Sequence, residues 1–501
     1  MTPFQPDWTI SELQELLSAG VVTSRDLVEA YLDRIETIDR QGPNLNAIIE
    51  VNPDVLSLAD EMDALRVDGQ VRGPLHGIPI VLKDNIDTAD GMMTTAGSLA
   101  LEGSIAAQDA GLVTKLREAG AILLAKANLS EWANFRSDHS NSGWSSRGGQ
   151  TRNPYALDRS PCGSSSGSAV AVAAGLCAAA VGTETDGSIT CPAQTNGLVG
   201  IKPTLGLISR SGIIPIAHSQ DTAGPIARTV RDAAILLGAM AGVDPRDPAT
   251  AQSEGKAQAD YTPFLDPDGL KGARIGVART FFDFHLEVDS LMESCLQGLK
   301  AGGAELVDPA DIPSVKMMDE TEIEVLLYEF KADLNAYLAG LGSDARVHSM
   351  EDVIAFNEKN RELVMPYFGQ KRMLQAQEKG PLTDEAYLKA LETNHRLARS
   401  EGIDAVLAEH KLDAFVAPTG GPAWLIDTIH GDYGYGGCTS PAAVAGYPHI
   451  TVPAGFIHGL PVGISFFGTA WSEPVLLRLA YAFEQATLAR QAPRFLPTIS
   501  F

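Results

Sequence analysis

Three consecutive stretches constrain the fold of this chain more than any other feature. "GIPIVLKDN" (77–85) is a short apolar run, "AGLVTKLREAG" (110–120) has helical spacing, and "AILLAKAN" (121–128) is a second apolar run. Strand, helix and strand in that order predict a βαβ unit, and so a sheet that is at least partly parallel and covered by helices. "SGSAVAVAAGLCAAAVGT" (166–183) continues the alternation with small side chains that let elements approach closely.

The flanks extend this core. The first sixty residues read as an amphipathic helical arm: "TISE" offers a capping box before "LQELL", and "TSRDLVEAYLDRIETID" repeats apolar residues at helical spacing. Residues 61–245 form the expected catalytic core. Residues 246–410 carry a polar stretch and then charged helical patterns such as "EDVIAFNEKNRELV", which predict a helical elaboration covering a substrate cleft. Residues 411–501 return to strands in "KLDAFVAPTGG" and "GYPHITVPAGF" and close on an amphipathic helix, completing the same core. The fold class expected is α/β: a large mixed, twisted sheet with helices on both faces, in one compact domain.

Charge and cysteine content exclude several functions. A formal charge of −25 disfavours nucleic acid and anionic membrane surfaces, which reward clustered Lys and Arg. Five scattered cysteines without a C-x-x-C pair predict neither a disulfide framework nor a zinc site. The ten histidines stand singly, with no H-E-x-x-H or H-x-H cluster, so no metal and no cofactor are expected. The N-terminal stretch lacks the basic-then-apolar order of a signal peptide, and the Ala-rich run near 169–181 is too short to span a bilayer. These features predict a cytoplasmic protein; the expected assembly is a monomer or homodimer, and the expected substrate a small molecule or a peptide.

Nucleophile motifs are sparse. "GTETDGS" (182–188) lacks the Gly-Lys-Ser/Thr ending of a phosphate-binding loop. "GSSSG" (163–167) fits G-x-S-x-G, but the loop-like "GGQTRNPYALDRSPC" precedes it where a nucleophile elbow needs a strand. An S-x-x-K match at Ser253–Lys256 lies in a polar stretch without its companion motifs. Three pieces remain: Lys83 at the end of an apolar run, the Ser164 turn, and Ser188, far from any histidine. Taken singly each is ordinary, since lysines often end strands in solvent and Ser/Gly turns are common loop chemistry.

Together, "GIPIVLKDN", "CGSSSGS" and "GTETDGSI" resemble, in that order, the lysine segment, the G-G-S-S-[GS]-G turn and the T-D-x-G-G-S segment of the amidase signature family. "KANLSEWANF", "GGQTRNPY", the run from "NGLVGIKPTLGL" to "TAGPIART", and "AAVAGYPHITVPAG" extend the resemblance over roughly residues 8 to 495. Within the family the chain is most similar to bacterial peptide amidases, which remove the C-terminal amide from peptides.

The resemblance implies a serine-dependent amide hydrolase. Ser188 would be the nucleophile, Ser164 (behind a cis peptide bond) the proton relay, Lys83 the base, and Ser165 part of their supporting network. The N–H groups of Thr185, Asp186, Gly187 and Ser188 would form the oxyanion hole. A lysine acts as a base only when neutral, which burial after an apolar run favours.

Asp186 departs from the family's usual Gly-Gly, so the geometry of that turn is the open question. Thr190 and Cys191 follow the nucleophile; the corresponding chains of glutamine-dependent amidotransferases carry an Arg at the first of these places, and its absence argues against that branch. Anilide, ester and carbamate hydrolysis are alternatives with the same acyl-enzyme route. Phe135, Trp144, Trp424 and Tyr435, with Thr190 and Cys191, are candidates to line the substrate pocket.

Overall fold

The computed structural model describes residues 4–434 and 436–499. Eleven strands form one mixed sheet: β1 (Ile48–Val51), β2 (Pro79–Lys83), β3 (Ile122–Ala127), β4 (Ala179–Glu184), β5 (Val199–Lys202), β6 (Thr222–Ala227), β7 (Arg274–Val277), β8 (Glu305–Val307), β9 (Ala414–Pro418), β10 (His449–Ile457) and β11 (Leu460–Phe467). Their spatial order is β1-β3-β2-β4-β6-β5-β10-β11-β9-β7-β8. The expected βαβ unit is present: β2 and β3 pair in parallel, with helix Gly111–Glu118 between them in sequence. β4 pairs in parallel with β2 on its other side, placing Lys83 and the strand that leads to Ser188 side by side. Helices surround the sheet, as a parallel core buried on both faces requires.

Local sequence accounts for many boundaries. Thr9 and Thr23 each accept a hydrogen bond from the third residue of the helix they open, whose acidic side chain bonds back to the cap. Every residue of β2, β3 and β4 is buried, consistent with continuous small and apolar runs rather than alternating ones.

Two segments do more than their patterns announce. The N-terminal arm also contributes edge strand β1, antiparallel to β3. Residues 246–410, read as helical, supply β7 and β8 as well, which extend the opposite edge through parallel pairing with β9. At four and three residues, these strands are too short for their periodicity to stand out between long helical patterns. Helix Asp319–Ala339 is the longest element of that region. No helix among the described residues is long and apolar enough to cross a membrane.

Candidate active site

Lys83 ends β2 and is completely buried. Its Nζ lies 2.8 Å from Ser164 Oγ, 2.8 Å from Thr183 Oγ1 and 3.2 Å from the Thr183 carbonyl. Burial without an ion-pair partner disfavours the ammonium and brings the Lys83 pKa down to about 7; Asp221 and Glu184 oppose that shift. Two other lysines are equally buried but differently surrounded. Lys126 Nζ donates to the Ile86 and Met93 carbonyls and Thr94 Oγ1, and burial lowers its pKa as well. Burial lowers Lys202 to about 8, with Glu184, Glu473 and Asp186 opposing that shift. Only Lys83 of the three faces a serine hydroxyl.

The Ser/Gly turn is held against the end of β4. The Gly163–Ser164 peptide bond is cis, and Ser164 is fully buried. Ser165 N–H donates to the Ser188 carbonyl at 3.1 Å, and Ser165 Oγ donates to the Thr183 carbonyl at 3.0 Å while accepting from Thr183 N–H at 3.2 Å. This close approach needs Gly182, where an added Cβ would stand 2.7 Å from Ser165 Oγ. The fold thus brings Lys83, Ser164, Ser165 and Ser188 to one place.

Beyond β4 the chain turns through "TDGS". Gly187 has φ +76°, in the left-handed region that glycine tolerates, and a Cβ there would press on Thr439. Thr185 Oγ1 donates to Asp221 at 2.5 Å, and Asp221 also accepts from the N–H groups of Ile216 and Ala217. Asp186, at the position of the family's usual glycine, accepts from Ser440 Oγ at 2.6 Å. Buried Glu184 accepts from the N–H groups of Ile189 and Thr190 and from Thr190 Oγ1, anchoring the short helix Thr190–Thr195 that follows Ser188.

Cys162 and Cys191 form a disulfide, with Cα atoms 6.0 Å apart, between the serine turn and that helix. This corrects the expectation of no disulfide. A separation of 29 residues carries no local signal, and only the tertiary approach of the two catalytic segments makes them neighbours. Cys177, Cys295 and Cys438 are free and buried.

A cavity of about 270 Å³ opens on this turn, lined among others by Gly163, Asp186, Gly187, Cys191, Trp424 and Asp432. No Lys or Arg is among its described lining residues. Of the remaining pocket candidates, Phe135 packs edge-to-face on Phe330, Trp144 packs against Tyr367 and Phe368, and the Thr190 hydroxyl is bound to Glu184. Tyr435 is outside the described residues. A second cavity, of about 390 Å³, reaches Asn85, Thr183, Thr185 and Asp221.

Sequence reasoning did not single out Thr183, Asn85, Glu184 or Asp221. Thr183 and Glu184 lie in the quoted motif itself, and their burial at the end of an inner strand was the available signal. Among the described residues, one group has the donor types for a metal: His218, Glu329 and Asp333. Its atoms already bond protein groups, His218 Nδ1 to Asp333 at 2.8 Å and Tyr387 Oη to Glu329 at 2.7 Å.

The Amidase family model matches residues 26–477. This chain belongs to the amidase signature family. It is similar to the native peptide amidase of Stenotrophomonas maltophilia, whose crystal structure is 53% identical with a TM-score of 0.92, covering 97% of this chain and 98% of that one. A peptide amidase bound to the competitive inhibitor chymostatin is 54% identical with a TM-score of 0.94, covering 97% and 99%. A probable amidase from Arabidopsis thaliana is 44% identical over 497 residues, 97% of this chain and 91% of the relative. The matching chain of the Halorhodospira halophila glutamyl-tRNA(Gln) amidotransferase is less similar, 36% identical over 489 residues, 96% of this chain and 97% of that protein. The chain is a serine amide hydrolase with the fold of its amidase relatives.

Proposed function

We propose that this amidase hydrolyses the C-terminal amide of peptides through an acyl-enzyme formed on Ser188. The observation that carries the mechanism is a buried lysine, with its pKa brought down to about 7, 2.8 Å from Ser164 Oγ. A neutral amine has two N–H bonds and one lone pair. Directing the N–H bonds to the Thr183 carbonyl and hydroxyl leaves the lone pair facing Ser164.

Ser188 Oγ attacks the amide carbonyl as its proton passes to Ser164 Oγ, whose own proton passes to Lys83 Nζ. The oxyanion is held by main-chain N–H groups of residues 185–188, a type of stabilisation worth roughly 10²–10³ in kcat per donor. The Lys83 ammonium then returns its proton through Ser164 to the leaving nitrogen, which departs as ammonia. Water, deprotonated by the same relay, attacks the ester and frees Ser188.

Two observations favour an uncharged amide terminus as substrate. The cavity beside the turn presents Asp186 and Asp432 without a Lys or Arg, so a free carboxylate would meet repulsion there. The 53% and 54% identical structures are peptide amidases. Ammonia release from an amidated peptide, compared with a glutamine substrate, tests the reading. Ser188→Ala is expected to abolish release and the acylation burst, and near-normal turnover by that variant would refute it.

A further inference from the structure

Asp186 occupies the one position of the nucleophile turn where the chain departs from its family's usual glycine, and its surroundings give that departure a use. One carboxylate oxygen accepts from Ser440 Oγ at 2.6 Å. The Thr439 hydroxyl also lies against this carboxylate, and its other oxygen, Oδ1, is buried without a well-aligned N–H or O–H donor among the described residues. What it does meet is Glu322, on helix Asp319–Ala339: the two carboxyl side chains are in hydrogen-bond contact. Glu322 Oε1 in turn accepts from Gln220 Nε2 at 2.9 Å, and the same Gln220 amide donates to the main-chain carbonyl of Thr185 at 3.3 Å. Helix Asp319–Ala339 therefore reaches the turn at two successive residues, 185 and 186, through one glutamate.

Two carboxylates cannot make this contact while both are charged; the bond exists only with one proton between them. We propose that Glu322 is a positioning residue for amide hydrolysis: with Asp186 it forms a proton-sharing carboxyl pair that fastens the covering helix to the oxyanion turn and sets the direction of its N–H groups. The pair holds the turn while it keeps its proton and releases it when the second ionisation brings two negative charges together.

The surroundings place that proton on Glu322. Burial raises both carboxyls, and Asp186 raises Glu322 further, well above the ordinary range. The Ser440 and Thr439 hydroxyls and the Lys202 ammonium from β5 favour the ionised form of Asp186. The other charged or titratable groups facing the pair are Asp319 on the helix of Glu322, Glu184 at the end of β4, and the buried Cys438 thiol. The two acids among these oppose the second ionisation.

This inference rests on the proposed role of Ser188 and its turn. The test is the pH profile of peptide-amide hydrolysis for wild type, Glu322→Ala and Glu322→Gln, between about pH 6 and pH 10. Wild-type kcat is expected to fall on the alkaline side as the pair loses its proton. Glu322→Ala is expected to lose about tenfold or more in kcat, with KM changed by less than about threefold. Glu322→Gln supplies a permanent N–H donor to Asp186, so it is expected to recover kcat to within about threefold of wild type and to flatten the alkaline limb. An alkaline limb unchanged in Glu322→Gln, or a wild-type profile with no such limb, overturns the proposal. Should Glu322→Ala fail to fold, the Glu322→Gln profile decides alone. If Ser188→Ala is inactive while the Glu322→Gln limb is unchanged, only the carboxyl pair fails; an active Ser188→Ala removes the catalytic reading itself.

Discussion

Replacing Lys83 with methionine should inactivate the enzyme while making its fold more stable, most of all at low pH. In the unfolded chain this lysine titrates near its ordinary value of 10.5; in the fold its pKa is about 7. Between those values the unfolded state binds a proton that the native state does not, so wild-type stability rises with pH across that window. The penalty for burying Lys83 is therefore largest below pH 7 and vanishes above pH 10.5. At about 1.4 kcal/mol per unit, the full penalty is on the order of 5 kcal/mol.

Methionine is similar in length and carries no charge, so it escapes this penalty. It also removes the bonds to Ser164 and Thr183, a loss that does not depend on Lys83 titration. The readout is thus the change in the variant's advantage with pH, which should shrink by about 2 kcal/mol between pH 7 and pH 9. Urea unfolding of both proteins at the two pH values measures it, with turnover assayed in parallel. A stability difference that stays constant over that range would mean that Lys83 is protonated in the native state, and the base assignment would fall with it.

Asp221 is the strongest acidic influence opposing the Lys83 shift, and its own pKa of about 6 leaves it charged at neutral pH. Asp221→Asn is expected to move the acid limb of kcat/KM, set near pH 7 by Lys83, to lower pH; movement to higher pH would contradict the electrostatics. The Cys162–Cys191 bridge closes a loop across 29 residues, so its reduction should lower stability by about 3.5 kcal/mol by loop entropy. Denaturant midpoints with and without a phosphine reductant check this, and a thiol titration that finds all five cysteines free in the untreated, unfolded protein rules the bridge out.

Much of the core was legible because its signals are local. The βαβ unit from 77 to 128, the capping box at Thr9 and the closing helix all follow from spacing and caps within a few residues of each other. Strands β7 and β8 were not legible, because runs this short acquire strand geometry only by pairing with β9 and with each other. Phe135 and Trp144 show the same limit: loop aromatics near a motif look alike in sequence whether they line a cavity or pack on Phe330, Tyr367 and Phe368.

The sequence by itself determined which atoms were available for chemistry: a lysine ending an apolar strand, serines in Gly-rich turns, and an aspartate where a glycine is usual. Covalent spacing and side-chain type fix those properties. The tertiary structure alone decided which buried lysine can serve a serine: burial lowers the pKa of Lys83, Lys126 and Lys202 alike, and only Lys83 is placed against Ser164. It alone also joined Cys162 to Cys191 and brought Glu322 to Asp186 across 136 residues of chain. Such contacts leave no periodic or local trace for a sequence reading to find.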